Sequence, residues 1–262
     1  LSLRSSSLRV ESRGAIDLGR GRYDDVRIAA ELLRPNALFL NMTGRQVRLA
    51  GTLDGRFGRA DFLYRLTAPR IAFDDTGFDE VQVSGRGRLT RSPVIVPTLA
   101  TARRVTGIGE EGEDILAGLR LEGPLTITPR LLTGERLAMS SAKMRGPAAL
   151  AVDLRTGAYV VTAAPNVPNY LIEGFGVVDI TGTLRAVPGV GGRGTQVTGN
   201  ARAQVRRLDN RFLEWVAGGP PRLDTAFTRG PDRILRFQNL RIAAPKLALA
   251  ANGFRRPEGT YS

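Results

Sequence analysis

The chain contains neither cysteine nor histidine. Without a thiol there is no nucleophilic Cys, no zinc ribbon and no disulfide framework. Without imidazole there is no Ser-His-Asp triad, no histidine general base and no imidazole metal site. Chemistry would have to run on carboxylates, Lys, Tyr or Ser. Freedom from thiols suits an oxidising compartment, although cytosolic chains can lack them too. Lysine is nearly missing, standing only at Lys143 and Lys246, so arginine carries the net charge of +13. No apolar run is long enough to cross a bilayer, and the start has no signal-peptide profile. The sequence opens at Leu1 and reads as an internal piece of a longer protein, whose anchor or signal lies outside it.

What the sequence does have is a two-residue rhythm. Val81, Val83 and Leu89 alternate with Gln82, Ser84, Arg86 and Arg88, and Leu119, Leu121, Leu125, Ile127 and Leu131 alternate with Arg120, Glu122, Thr126, Thr128 and Arg130. The pattern recurs at Val178, Ile180 and Leu184, at Val197, Ala201, Ala203 and Val205, at Leu235, Phe237, Leu240 and Ile242, and at Leu247 and Leu249. A strand turns successive side chains to opposite faces, so this period places the apolar set on one face and the Arg, Thr and Gln set on the other. Residues 26–32 read as a further strand ending at Pro35.

Turn chemistry divides the rhythm into hairpins. Asp54-Gly55, Thr133-Gly134, Thr156-Gly157 and Asn252-Gly253 are read as turns, since Gly supplies the positive φ of tight hairpins. Gly85, Gly87, Gly123, Gly146, Gly182 and Gly199 fall inside strand patterns, where glycine marks a bulge, a bend or a close backbone approach. Two segments break the rhythm. Residues 92–118, with Pro93, Pro97 and the acidic group Glu110, Glu111, Glu113 and Asp114, read as an irregular loop insertion with one helical turn. Residues 209–218 read as a short helix capped by Asp209 or Asn210, with Trp215 read as packed between helix and sheet in preference to the alternative, an interfacial anchor.

The candidate motifs are weak. Gly107, Gly109 and Gly112, and again Gly189, Gly191 and Gly194, match the spacing of a dinucleotide loop, but Glu110 and Glu111 would repel pyrophosphate and the second match runs on into strand. The pairs Asp74-Asp75, Asp79-Glu80 and Glu110-Glu111 sit in polar, turn-like surroundings that would not shift a carboxylate pKa. No metal site and no cofactor is expected. The arginines are dispersed along strands without interleaved aromatics, unlike a nucleic-acid interface. Asn41-Met42-Thr43 is a formal glycosylation sequon, and the tyrosines at 159, 170 and 261 are scattered.

Three stretches carry a resemblance: residues 177–184 (VVDITGTL), 119–127 (LRLEGPLTI) and 242–253 (IAAPKLALAANG). They resemble the repeated strand units of AsmA-like proteins, and among these the TamB-type proteins of Gram-negative bacteria. The likeness extends from about Val26 onward in degenerate units of apolar, polar, apolar and Gly. It implies a periplasmic segment, tethered to the inner membrane by a part not present here. In such a segment a hydrophobic groove serves phospholipid transport toward the outer membrane or the assembly of outer-membrane proteins, with an outer-membrane barrel protein as a further partner.

These readings converge on a mainly β chain: residues 1–262 as a single elongated β-groove segment, a long curled, twisted antiparallel sheet of open-groove (β-taco) type with one or two short helices. The expected lipid-facing residues are Val81, Val83, Leu119, Leu121, Leu125, Ile127, Val178, Ile180, Leu184, Leu247 and Leu249. About fifteen strands spaced 4.8 Å apart would extend on the order of 70 Å. The expected activity is non-enzymatic. The alternative is a chaperone-like module that accepts client strands at an open sheet edge.

Overall fold

The computed structural model describes residues 1–90, 92–190, 194–257 and 259–260. Nineteen strands in antiparallel pairing and two α-helices build a mainly β chain, as the rhythm predicts. Where a single segment was expected, the chain divides into two compact units. The first holds residues 1–142 and 149–159, the second residues 143–148 and 160–262.

The first unit begins with β1 (Ser2–Arg4), β2 (Leu8–Asp17) and β3 (Arg22–Leu32), followed by β4 (Met42–Arg45), β5 (Val47–Arg56), β6 (Asp61–Phe73) and β7 (Thr76–Arg88). β8 (Val94–Ala102), β9 (Arg104–Thr106), the helix α1 (Glu110–Ile115), β10 (Leu119–Ile127) and β11 (Leu131–Ser140) complete it, with residues 149–153 of β12 (Arg145–Asp153). The strands meander: β2 pairs with β1 and β3, β3 with β5, β5 with β6, β6 with β7, β7 with β8, β8 with β10, and β10 with β11. β4 and β9 are short continuations that pair with the far ends of β6 and β7. Residues 92–118 are therefore not an irregular insertion. Val94 to Ala102 form an internal strand paired along β10 from Val94↔Ile127 to Ala102↔Leu119, and the prolines are accommodated because Pro97 faces Pro124 across the ladder.

The second unit contains β13 (Tyr159–Ala163), β14 (Asn166–Ile172), β15 (Gly176–Pro188), β16 (Thr195–Leu208), the helix α2 (Arg211–Ala217), β17 (Arg222–Arg229), β18 (Leu235–Ala244) and β19 (Leu247–Arg255). β15 pairs with β13 and β14, then with β16, and each later strand pairs with the next. The helix read over 209–218 is present as α2. The Asn210 side chain accepts from the Leu213 amide, and Gly218 closes the helix in the left-handed region at φ 70°.

The X-Gly dipeptides separate into one turn and three positions inside strands. Thr156-Gly157 is a turn: the amides of Arg155 and Thr156 donate to Asp153 Oδ1 (2.8 and 2.9 Å), and Gly157 takes φ 74°. Asp54-Gly55, Thr133-Gly134 and Asn252-Gly253 lie inside β5, β11 and β19. The reversals fall at residues 57–60 around Gly58, at Thr128–Leu131, where the Leu131 amide donates to Thr128 Oγ1 (2.9 Å), and at Pro245-Lys246.

The core is thin. Buried apolar side chains are mostly small, and the largest that are fully sealed are Val105, Val178 and Val205. One cluster gathers Met42, Val47, Ala68 and Ile71 under Leu32, Phe39, Leu66, Phe73 and Val81. Trp215, expected between helix and sheet, is instead 74% exposed, because α2 sets Ala217 rather than its aromatic face inward.

Candidate functional site

Strand register assembles the alternating residues of the first unit into rows that cross the sheet. One row runs Leu3, Val10, Ala30, Leu49, Leu66, Val83, Ala100, Leu121 and Met139, each directly opposite the next. Nine strands contribute one apolar residue each, and none of the nine is buried. At about 4.8 Å per strand the row is roughly 38 Å long.

The adjoining rows are small or aromatic. Gly51 faces Tyr64, which faces Gly85, and Leu53 faces Phe62, which faces Gly87. The rings lie over the glycines: a Cβ at Gly85 would stand 2.7 Å from Tyr64 Cε1, and one at Gly87 would stand 2.7 Å from Phe62 Cζ. The polar groups of this face satisfy one another. The Tyr64 hydroxyl donates to Thr98 Oγ1 (2.8 Å), and the Thr98 hydroxyl donates to the Val96 carbonyl (3.1 Å). Thr98 is the buried polar residue among the described residues. This face can hold apolar chains; it offers no charge.

Six of the expected lipid-facing residues meet here. Val83 and Leu121 are in the row itself; Val81 faces Ala68, Leu119 faces Ala102, Leu125 faces Val96 and Ile127 faces Val94, all on the same side. The other five are in the second unit. Ile180 belongs to a row of Val167, Ile180, Ala203, Leu223, Ile242 and Leu249, and Leu184 to a row of Ala163, Leu184, Gly199, Phe227, Phe237 and Gly253. Leu247 faces Ala244 beside the first of these rows. Val178, opposite Val205, is only 2% exposed and fills core, whereas Leu249 is 50% exposed. Leu3, Val10, Leu49, Leu66 and Met139 were not singled out in the sequence. Leu66 continues an alternation with Phe62 and Tyr64 that could have found it.

The opposite face is a ladder of cross-strand pairs. In the first unit Arg88 Nε donates to Asp61 (2.8 Å), Arg70 to Asp79 (2.9 Å), Arg103 to Glu80 (2.6 Å) and Arg65 to Gln82 (2.9 Å); in the second, Arg202 donates to Asp224 (2.6 Å). Hydrogen bonds to Asp61 and Asp224 raise the pKa of Arg88 and Arg202 further above their ordinary value. Of the carboxylate pairs noted in the sequence, Asp79 and Glu80 hold arginines, and Asp74 accepts from Asn41 Nδ2 (2.9 Å) in the reversal between β6 and β7. No cluster of potential metal ligands occurs among the described residues. At the first glycine motif the Gly107 amide, which a phosphate would need, donates to Glu113 Oε1 (2.9 Å). In the second, Gly191 lies outside the described residues, as does Tyr261.

Comparison with known protein families, with curated proteins and with solved structures finds no match to this chain. The functional reading therefore stands on register, exposure and charge.

Proposed function

We propose that the chain is a non-enzymatic carrier of phospholipid tails, a segment of a conduit that moves lipid across the periplasm toward the outer membrane. The observation that carries this reading is the nine-strand apolar row of the first unit, of which no member is buried. An acyl chain gains about 0.8 kcal/mol for each methylene removed from water, so a continuous strip of Leu, Val and Met holds tails without recognising any particular one. A strip running across strands suits a chain that slides, because each step exchanges one aliphatic neighbour for another. The resemblance of the strand units to AsmA-like and TamB-type proteins supports the same assignment, with an inner-membrane anchor outside these residues.

The test is mass spectrometry of lipids retained by the purified chain, set beside Leu121→Asp in the row. The wild type is expected to carry phospholipid, and the variant to lose most of it while keeping its far-ultraviolet dichroism. A lipid-free wild type, or equal retention by both, would sink the reading.

A second reading has one observation of its own. β19 pairs with β18 and with no other strand among the described pairings, leaving an edge that could accept a client strand during outer-membrane protein assembly. A photocrosslinker at position 121 separates the two: lipid adducts support the conduit and protein adducts the chaperone.

A further inference from the structure

We propose that the α2 end of the second unit docks on a bilayer surface containing anionic headgroups. α2 lies across strand ends: the Asp209 amide before it donates to the Phe175 carbonyl (2.9 Å), and the Ala217 carbonyl at its end accepts from the Lys246 amide (2.9 Å). The helix faces inward with Ala217 and partly with Leu213 and Val216. Phe212 and Trp215, three residues apart and so on one helical face, are 66% and 74% exposed. The end of β14, beside the reversal that receives the Asp209 amide, exposes Leu171 (56%) and Ile172 (38%). Single exposed apolar residues are ordinary, but four large ones at one end of a sheet, two of them aromatic, mark an interaction surface.

The charges around these tips favour a membrane as the occupant. Arg211, Arg222 and Lys246 border the helix and have no carboxylate partner among the described residues, whereas Arg207 is held by Asp209 (2.7 Å). The remaining acids at this end are Glu173 and Glu214, so three cations stand against two carboxylates in a chain of net charge +13. Aromatic tips beside long cationic side chains are the composition of interfacial helices, whose rings sit at headgroup level while Arg and Lys meet phosphate. A second copy on the same patch would bring Arg211, Arg222 and Lys246 against themselves. Leu247, which faces Ala244 beside the row from Val167 to Leu249, directly follows Lys246, so a docked α2 would bring that end of the row near the bilayer. The docking surface itself stands on the exposed side chains and is independent of the strip in the first unit.

Trp215 is the only tryptophan, which makes its fluorescence the readout. With vesicles of phosphatidylcholine mixed with phosphatidylglycerol, the emission is expected to move to the blue, acrylamide quenching to fall, and the chain to float with the vesicles. Phe212→Ser, with dichroism unchanged, is expected to weaken binding about tenfold, and Arg211→Glu with Lys246→Glu to remove the preference for the mixed vesicles over phosphatidylcholine alone. Unchanged emission with both vesicle types overturns the proposal. A blue shift that rises with protein concentration and needs no vesicles also overturns it, since a second copy would then be the occupant. Leu121→Asp should leave the vesicle response intact, which separates failure here from failure of the lipid-carrier reading.

Discussion

Asp179 shows how much one side chain of the polar face does. Its Oδ1 accepts the Asn169 amide (2.8 Å) and its Oδ2 binds the Arg206 guanidinium, so one carboxylate ties β14, β15 and β16 together. Asn169 has φ 52° inside a β-bulge, and the bulge removes its amide from the ladder; the carboxylate supplies the missing acceptor. That amide first, and Arg206 second, hold the Asp179 carboxyl below its ordinary range. A depressed folded pKa adds stability that is present above the unfolded value of about 3.9 and is lost as pH falls through the folded one. Asp179→Asn is therefore expected to unfold at lower urea concentration than the wild type at neutral pH, and the gap should close in acid, where both side chains are neutral. A gap that persists at the acid limit would show that the charge is not what matters. In the sequence Asp179 is one polar residue between Val178 and Ile180. The amide it serves depends on a bulge that no local pattern announces. Gly85 is similar: glycine within a strand suggests a close approach, but only the folded chain shows that a Cβ there would stand 2.1 Å from the Pro97 carbonyl oxygen.

Among elements, α2 was legible because both of its ends carry their own chemistry. Asn210 accepts the Leu213 amide at 3.1 Å, and Gly218 adopts the left-handed region that ends a helix without strain. A helix of seven residues does not hold in water unaided, so cap and docking must both contribute. Asn210→Ala is expected to cost α2 about 1 kcal/mol, which appears as about fivefold faster amide exchange over Leu213 to Ala217 with no change in β2 to β7. Equal exchange in both proteins would mean that contact with the strand ends alone holds the helix. The hairpin reversals were less legible. A glycine after Asp, Thr or Asn permits positive φ anywhere, and the ladder decides whether a turn or a bend uses it. Gly55, at φ 115°, bends β5 opposite Tyr23 while pairing with β3 continues to Arg22↔Arg56. Residues 92–118 hid a strand because Pro93 and Pro97 look like breakers, yet Pro97 faces Pro124 at one rung of a continuous ladder.

For the whole molecule, the exposed area is the quantity to explain. A compact protein of 28.3 kDa exposes about 11,000 Å², and even two separate compact domains with the masses of the two units would expose about 13,500 Å². This chain exposes 16658 Å², more than either figure, and the row from Leu3 to Met139, of which no member is buried, is part of that exposed surface. The alternation that makes those faces apolar was readable strand by strand. The alignment of Leu49, Leu66, Val83, Ala100 and Leu121 into one row was not, because it depends on where each reversal falls, and Asp54-Gly55, read as the turn after Leu49, lies inside β5. An uncovered apolar row gains stability only when something apolar binds it, and a ligand that binds the folded chain alone raises stability by RT ln(1 + [L]/Kd), about 2.7 kcal/mol at a hundredfold excess over Kd. Short-chain phosphatidylcholine, added below its micelle concentration, is therefore expected to raise the melting temperature by about 5–10 °C. Leu121→Asp should melt close to the wild type without lipid, since position 121 lies on a half-open face rather than in the core, and should lose most of the lipid-induced rise. If lipid leaves the wild-type transition where it was, or raises both proteins equally, the row is not where the tails bind.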